Sequence, residues 1–298
     1  MRITTNSTSE NIVRQIQQLG AQQSKLQTQV ATGQRIFQPE DDATGMGRVL
    51  GLESERRQLS QFGRNVDRAL ELSQASFSGL QQIKKVSDRA TEIGTLGAGA
   101  ISPAAAGAYA SEVDQLIEQT LQLTNTRFRN DYLFAGTAVA AAPFVATRDG
   151  SGKIASVAYA GNANQTDIQL SESARIAPGT TGATNNGLKD FLNQLVALRD
   201  ALKANSPTAV TAVETNLIAS EDLLVSSLAE HGGVETRIEA NRAQLLDRVT
   251  NIDKLISSET DVDLPSTIVK LNQTQTAYQA ALQSAANIMR ISLLDYLR

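Results

Sequence analysis

The chain has 298 residues, carries a formal net charge of −4 and contains no cysteine. Its Lys and Arg residues are scattered among Asp and Glu, so the electrostatic footprint of a nucleic-acid-binding protein is absent. Without cysteine, disulfides, thiolate metal sites and thiol nucleophiles are excluded. The first twenty residues are polar and no apolar run is long enough to span a bilayer, so we expect neither a cleaved signal peptide nor a membrane segment. With 4% aromatic residues, the composition favours long helices that meet along narrow seams over a thick core.

The first predicted element is an N-terminal helix with a coiled-coil seam. Its apolar residues follow each other at alternating steps of three and four, and Gln23 interrupts the series. A helix near the C-terminus has the same stepping, with a Gln in its own seam. We therefore expect the two helices to pair and to form an assembly interface through Ile12, Ile16, Leu19, Leu26, Val30, Ile268, Leu271, Tyr278, Leu282, Ala285 and Met289. The alternative is two unrelated amphipathic helices that pack on the same globular body.

Two further helices are predicted in the first half of the chain. An apolar stripe indicates a helix from near Gly45 towards Ile93, whose roughly fifty residues would extend about 70 Å. After a Gly-rich break, Ser102 and Pro103 are typical of a helix start, and this second helix is expected to return to Phe128.

The stretch "RNDYLFAGTAVAAAPF" (residues 129–144) lies in a window with an unusual concentration of aromatic residues. Phe128, Tyr132, Phe134 and Phe144 fall within it, in a chain with seven Phe and five Tyr. We expect this cluster to bury the apolar ends of a slender helical bundle and a sheet together. Alternatively, the aromatic side chains form a small core of the β-rich insertion alone.

Alternation of period two replaces the helical period after Phe144. Two β-prone runs flank "DGSG", which is a turn composition typical of hairpins, and "TDIQLSESARIA" predicts a third strand and a fourth. A Gly-, Thr- and Asn-rich loop is expected to close this insertion at Gly187. Helices then resume, with a break predicted at Gly232 and Gly233 from local composition.

The predicted fold is therefore mainly α: a long antiparallel helical bundle with paired terminal coiled-coil helices and a small β-rich insertion. The expected organisation, in chain order, is an N-terminal coiled-coil segment, the first half of the bundle, the β insertion, the second half of the bundle and a C-terminal coiled-coil segment, over residues 1–40, 41–136, 137–187, 188–260 and 261–298.

Several segments resemble one family. "TGQRIFQPEDDATGMGRV" is similar to the N-terminal signature of flagellins and their relatives, and "GGVETRIEANRAQL" and the terminal segment from "DVDLPST" are similar to their C-terminal helices. "NDYLFAGT" with a nearby "PF", and the ending "SLLDYL", resemble the branch of the family at the junction between hook and filament. The motif residues are Gly33, Arg35, Pro39, Asp41, Asp42, Asn130, Tyr132, Phe134, Gly136, Arg237 and Asn241.

The resemblance implies a structural subunit between the flagellar hook and filament. Such a subunit is exported unfolded by the flagellar type III system, without a cleaved signal, and is assembled outside the cell. Its implied partners are other flagellar axial proteins, namely hook-associated proteins and flagellin, copies of itself in a ring, and an export chaperone; nucleic acid and membrane are not among them. The resemblance also implies that the helix continues through Gly232 and Gly233. A filament-forming flagellin and a cytoplasmic coiled-coil adaptor are the alternatives.

The residues that could carry chemistry have simpler interpretations. "DGSGK" lacks the first Gly and the final Ser or Thr of a phosphate-binding loop and is predicted to be a hairpin turn. Asp41 and Asp42 with their neighbour Glu40 are expected to serve helix entry, and Asp261 and Asp263 to cap the terminal helix. The lone His231 excludes a His-based triad within one chain and is expected at the surface or at a helix end. We therefore predict no enzyme activity, no cofactor and no metal site.

Overall fold

The computed structural model describes residues 2–99 and 101–296, with side chains described for residues 10–99 and 101–287. Within these residues six helices and six short strands follow each other, in the order α1 (Arg2–Thr32), α2 (Ala43–Ala98), α3 (Pro103–Thr124), β1 (Arg127–Phe128), β2 (Asp131–Tyr132), β3 (Phe144–Arg148), β4 (Ile154–Tyr159), β5 (Ile168–Gln169), β6 (Arg175–Ile176), α4 (Gly182–Lys203), α5 (Pro207–Thr260) and α6 (Leu264–Tyr296). The predicted mainly α fold with a small β-rich insertion is confirmed. No helix in the described part of the chain combines the length and hydropathy that a membrane crossing needs.

The chain divides into two compact units, and α2 and α5 contribute residues to both. Unit 1 contains residues 1–58 and 248–298, and unit 2 contains residues 59–247. In unit 1, α1 packs against α6, so the terminal helices pair as predicted. Its buried apolar side chains are Leu26, Ile36, Val49, Ile252 and Ala285.

Unit 2 has one continuous hydrophobic core. Buried side chains of α2, α3, α4 and α5 lie in the same cluster as Phe134 and as residues of the β3–β4 hairpin. Phe134 has no exposed surface and Phe144 is 2% exposed. A Cβ atom added at Gly79 of α2 would lie 3.0 Å from the ring of Phe134. The aromatic window thus joins bundle and insertion in one core, as the first of the two interpretations predicts.

The strands form three separate two-stranded antiparallel sheets, β1–β2, β3–β4 and β5–β6. The side-chain amides of two asparagines bond to the backbone of the β3–β4 hairpin. Asn125 Nδ2 donates to Phe144 O at 2.9 Å and its Oδ1 accepts from Phe144 N at 3.1 Å. Asn193 of α4 bonds in the same way to both backbone groups of Val157, at 2.9 Å each. These amides satisfy strand-edge groups that have no neighbouring strand.

Several predicted boundaries are wrong. Helix α3 ends at Thr124, and Phe128 lies in β1, because Asn125 takes the C-cap position and its side chain turns to the hairpin. The loop expected up to Gly187 is helical from Gly182 onwards, since the Thr181 side chain accepts from Thr184 N and caps α4.

The two glycines of α5 do not break the helix. Helix α5 is continuous through Gly232 and Gly233, so the break expected from local composition is wrong and the continuity implied by the family resemblance is confirmed. On either side of them, His231 is 5% exposed and Ile238 has no exposed surface. Tertiary packing along this helix outweighs the low helix propensity of two glycines, which is about 1 kcal/mol each.

Candidate functional site: the terminal helix pair and the motif segments

The α1 seam has the orientation that its sequence period predicts. Leu26 is buried and Ile12, Ile16, Leu19 and Val30 are half-buried, while the positions between the seam residues are mostly exposed. Gln23 is half-buried in the same series. One face of α1 is therefore covered within the chain.

On α6 the predicted seam residues Leu271, Tyr278 and Ala285 face inwards. The residues that alternate with them are Thr267, Thr274 and Ala281, each one position before a predicted seam residue. The threonines are 4% and 8% exposed, and the Thr274 hydroxyl donates to Lys270 O at 2.8 Å, which satisfies its polar atom inside the helix. The sequence interpretation missed these threonines because it placed the seam at their neighbours Ile268 and Gln275.

Two predicted seam residues, Ile268 and Leu282, have 44% and 43% of their surface exposed. They lie on the flank of the covered α6 face, and Val269 is 54% exposed beside Ile268. The Met289 side chain lies outside the described residues. The predicted assembly interface therefore has an inner part that pairs α1 with α6 and an outer part that is open in the single chain.

Contact between the two terminal helices is close at Gly20. A Cβ atom added at this position would lie 3.6 Å from Cε2 of Tyr278. The Tyr278 ring therefore packs against α1 at Gly20. This position lies between the α1 seam residues Leu19 and Gln23.

The N-terminal motif and the α5–α6 connection bond to each other in a segment that we call the clasp, residues 33–48 and 257–262. Gly33 has φ of 70° and follows the last residue of α1, a conformation that favours glycine. Arg35 N donates to Thr260 O at 2.5 Å and Val262 N donates to Gly33 O at 2.9 Å. These two bonds join the segment after α1 to the end of α5 and the α5–α6 connection.

Carboxylates order the turn of the clasp. Asp41 accepts from Phe37 N and Gln38 N, both at 3.1 Å, and pairs with Lys25 at 2.7 Å. These bonds, that to Lys25 first, lower the pKa of Asp41 to about 2. Pro39 lies in the turn closed by Asp41 N donating to Gln38 O at 3.0 Å.

Asp42 is the helix-entry residue that the sequence predicts. Its Oδ1 accepts from Gly45 N at 2.8 Å in the first turn of α2, and this bond lowers the pKa of Asp42. Arg35 Nη1 lies 3.4 Å from its second oxygen. The carboxylates of Asp41 and Asp42 thus bind backbone N–H groups and basic side chains. No cluster of three metal-ligating residues occurs among the described residues.

An arginine–glutamate pair that sequence reasoning missed completes the clasp. Arg48 Nε and Nη2 donate to the two carboxylate oxygens of Glu259 at 3.0 and 2.9 Å, and the pair lowers the pKa of Glu259. Arg35 Nη2 donates to the Glu259 backbone carbonyl at 2.8 Å. The partners lie 211 positions apart in the chain, so no local signal identifies them.

The acidic residues that follow α5 act at its end. The Asp261 carboxylate accepts from the Ser257 and Thr260 hydroxyls. Asp263 precedes α6, and its backbone carbonyl accepts from Thr267 N at 3.0 Å. Asp261 therefore closes α5, whereas the sequence interpretation assigned it to the start of the terminal helix.

The "NDYLFAGT" motif builds a tight turn and a core anchor. Asn130 and its neighbour Arg129 have φ of 83° and 48°, and they connect β1 to β2. The Tyr132 ring lies 4.3 Å from the Arg127 guanidinium carbon. Gly136 has φ of 67°, and an added Cβ would lie 2.3 Å from the backbone oxygen of Asn162, so this position excludes any side chain.

The remaining motif residues lie on α5. Arg237 is exposed and Asn241 is half-buried. Asn241 Nδ2 donates to Arg237 O at 2.8 Å, one helical turn earlier. The motif residues therefore lie in separate places. One group belongs to the clasp in unit 1, and the others lie around the β1–β2 turn and on α5 in unit 2.

Two predictions about chemistry have clear outcomes. "DGSGK" is a hairpin turn, as predicted, in which Asp149 Oδ1 accepts from Ser151 N at 2.8 Å and from Lys153 N at 3.0 Å. The expected surface or helix-end position of His231 is wrong, because this residue lies in the middle of α5 and its side chain is buried.

Comparison with known proteins agrees with these features. A family model described as the bacterial flagellin N-terminal helical region matches residues 3–139. The chain is 26% identical to flagellar hook-associated protein 3 of Escherichia coli over 99% of both chains. It is 32% identical to the flagellar filament 41 kDa core protein of Borreliella burgdorferi, over 40% of this chain and 36% of that protein.

A solved structure shares the fold. The flagellar hook-associated protein from Vibrio parahaemolyticus superposes with a TM-score of 0.66 at 18% identity, and the match covers 74% of this chain and 100% of that one. At this identity the likeness concerns the arrangement of helices and strands. The chain therefore matches the flagellin family model in its N-terminal part and is similar to flagellar hook-associated protein 3 over nearly its whole length.

Proposed function

We propose that this protein is a structural subunit of the bacterial flagellum that joins hook to filament. The observation that carries the proposal is the similarity to hook-associated protein 3 over 99% of both chains. It includes the β-rich insertion as well as the terminal helices. An unrelated cytoplasmic adaptor with terminal coiled coils is not favoured by such a match.

The terminal helices supply the assembly surface in this proposal. Helix α6 carries exposed apolar side chains at Leu264, Ile268, Val269 and Leu282, while its other face packs on α1. A helix pair with an open apolar flank gains free energy when a neighbouring subunit covers it, at about 25 cal/mol per Å² of apolar surface. Its neighbours in the proposal are copies of itself in a ring, other hook-associated proteins and flagellin.

We further infer an extracellular location reached by type III export, with a chaperone that protects the terminal helices before export. A catalytic role forms no part of the proposal, because the carboxylates of the clasp are bound by backbone donors and cations and the lone histidine is buried. The role is mechanical: the protein binds different axial proteins on its two sides.

A filament-forming flagellin is the second candidate, and the partial match to a filament core protein favours it. The two functions differ in how assembly ends. A junction subunit meets other proteins and stops after a fixed layer, whereas a filament subunit binds copies of itself through an open head-to-tail interface and continues.

Labelling of the β-rich insertion in intact flagella tests the proposal. An antibody against residues 137–187 is expected to mark one narrow band where hook meets filament. A strain without the protein is expected to keep its hooks and to release flagellin into the medium. Labelling along the whole filament would make the filament-forming flagellin correct.

Deletion of residues 2–30 tests the export part separately. These residues form α1, and targeting segments extend over about this length. The shortened protein is expected to stay inside the cell, while a deletion of the hairpin turn 149–152 leaves secretion unchanged. Secretion of both shortened proteins at the level of the intact chain contradicts the export proposal and leaves the junction assignment to the labelling experiment.

A further inference from the structure

Two polar side chains in the middle of α5 have a buried atom without a hydrogen-bond partner among the described residues. His231 is 5% exposed, and its Nδ1 is buried without a hydrogen-bond partner among the described residues. The same holds for Oε1 of Glu235, one helical turn later. Buried polar atoms in folded proteins nearly always have partners, and an unsatisfied one costs about 1–3 kcal/mol. This turn of α5 therefore carries two polar atoms that no protein group of the described residues satisfies.

The segment that lies over this turn is loosely packed. Residues 165–181, which contain β5 and β6, lie between two cavities of about 420 Å³ and 220 Å³, and Gln165, Asp167 and Gly179 line both. The strands have two residues each. Leu170 and Ile176 are 1% and 5% exposed, but they do not belong to the main core cluster of the described residues. Low contact density of this kind lowers the free energy of local opening.

His231 lies at the boundary between the segment and α5. It lines the smaller cavity together with the charged groups Asp167 and Arg175 of the segment and Glu230 and Arg237 of α5. Two carboxylates and two guanidinium groups balance in formal charge. Desolvation then decides the protonation state of the imidazole.

Burial lowers the pKa of His231 below its ordinary value of 6.5, and Glu230 opposes this shift to a smaller extent. The closed arrangement therefore favours the neutral imidazole. When the segment moves away, water reaches the ring and the ordinary pKa returns. Protonation is thus linked to opening, and a fall in pH through about 6.5 favours the open form.

We propose that residues 165–181 form an acid-released flap that packs on α5 while His231 is neutral and opens when His231 becomes a cation. The cation gains water on opening, since Nδ1 has no acceptor in the closed arrangement among the described residues.

The size of the effect follows from linkage. A group with a pKa of 6.5 in the open form and a lower one in the closed form raises the opening constant by at most about tenfold at pH 5.5, and by no more than about a tenth at pH 7.5. The flap should therefore be closed at neutral pH and open measurably more often one pH unit below the ordinary histidine value.

Nuclear magnetic resonance on the full chain tests this directly, because its sole histidine gives one imidazole Cε1–H signal. Between pH 7.5 and 5.5 the methyl signals of Leu170 and Ile176 are expected to change with the same midpoint as the imidazole. Methyls of Leu192 and Leu195 in the main core serve as the unaffected reference. An imidazole that titrates near 6.5 while the flap methyls stay unchanged overturns the proposal.

Hydrogen exchange of matched variants provides the second test. At pH 5.5, amides of residues 168–176 are expected to exchange faster in the wild type than in His231→Gln, by up to about tenfold, and at pH 7.5 the two should agree. Glu235→Gln is expected to keep the wild-type acid response, whereas Glu230→Gln should strengthen it, because Glu230 raises the pKa of His231 in the closed arrangement. Equal exchange of wild type and His231→Gln at both pH values, or faster exchange throughout unit 2, overturns the flap.

Discussion

Single residues of the clasp combine backbone capping with charge pairing, and Asp41 shows what this does to stability. Its carboxylate is bound by two backbone N–H groups and by Lys25, and its pKa is lowered to about 2 from 3.8. A lowered pKa means that the ionised form is favoured on folding. The stabilisation is present above pH 4 and is lost as the pH falls from about 4 to about 2.

We expect Asp41→Asn to lower the free energy of unfolding by about 1 kcal/mol at pH 7, because the amide retains one acceptor but loses the ion pair. Denaturant unfolding of both proteins at several pH values measures the difference, which should shrink towards zero near pH 2. Glu40→Gln, at the exposed neighbouring carboxylate, is the matched control and should change little. A difference that stays constant down to pH 2 would contradict the assignment.

Leu282 and Leu271 separate the outer and inner parts of the predicted assembly interface. Leu282 is 43% exposed, so Leu282→Asp is expected to change the stability of the single chain by less than about 0.5 kcal/mol and to block incorporation into flagella. Leu271 is half-buried on the α1-facing side, and Leu271→Asp should loosen the terminal helices themselves. Circular dichroism of the monomers and recovery of each variant from isolated flagella measure the two effects. Normal incorporation of Leu282→Asp contradicts the outer interface.

Among the elements, α5 differs most from the expectation based on local composition. Two adjacent glycines usually end a helix, yet α5 runs from Pro207 to Thr260 without interruption. Five ion pairs between side chains of α2 and α5 accompany the helix along its length: Arg48–Glu259, Arg56–Asp253 and Arg248–Glu55 in unit 1, and Arg242–Asp67 and Lys84–Glu221 in unit 2. The residue numbers rise in α2 as they fall in α5, so the two helices are antiparallel within each unit.

The continuity of α5 leads to a prediction about its glycines. A Cβ atom added at Gly232 or Gly233 meets no described atom within 4 Å, so Gly232→Ala and Gly233→Ala should each stabilise the protein by about 0.5–1 kcal/mol. Gly136→Ala is the opposing control, because φ is positive there and the backbone of Asn162 lies in the way. Thermal unfolding compares the three variants. Destabilisation by both α5 substitutions would indicate a non-helical conformation at this site.

For the whole molecule, the division into two units has a consequence for folding. The main core cluster draws its buried residues from positions 80 to 224, which all belong to unit 2. Among the residues whose side chains are described, unit 1 has fewer buried apolar side chains, and it joins residues from the two ends of the chain. The two units should therefore differ in stability.

We expect a fragment of residues 59–247 to fold on its own and to unfold cooperatively. Calorimetry of the full chain should show two transitions, and the transition at higher temperature should be kept by the fragment within a few degrees. A deletion of residues 2–30 in the full chain should remove the transition at lower temperature, because α6 then has no α1 to pack on. A fragment that is unfolded at 25 °C would show that unit 2 depends on the terminal helices.

The mainly helical fold, the pairing of the terminal helices and the presence of a small β-rich insertion were predictable from the sequence. Periods of three to four and of two residues report directly which side of an element is buried. The Asp42 helix start, the hairpin turn at Asp149 and the Ser102 cap were also predictable, because each depends on contacts between residues at most four positions apart.

The tertiary structure alone decided the features that depend on distant partners. Arg48 bonds to Glu259, which lies far away in the sequence, and Asn193 bonds to the backbone of Val157. Thr267 and Thr274 complete the α6 seam where their neighbours Ile268 and Gln275 were expected. His231 is buried although its neighbouring glycines suggest a surface break. A local pattern reports periodicity and turn chemistry, whereas the partner of a polar side chain, and the exact face that a helix buries, follow from packing between segments that meet only in the folded chain.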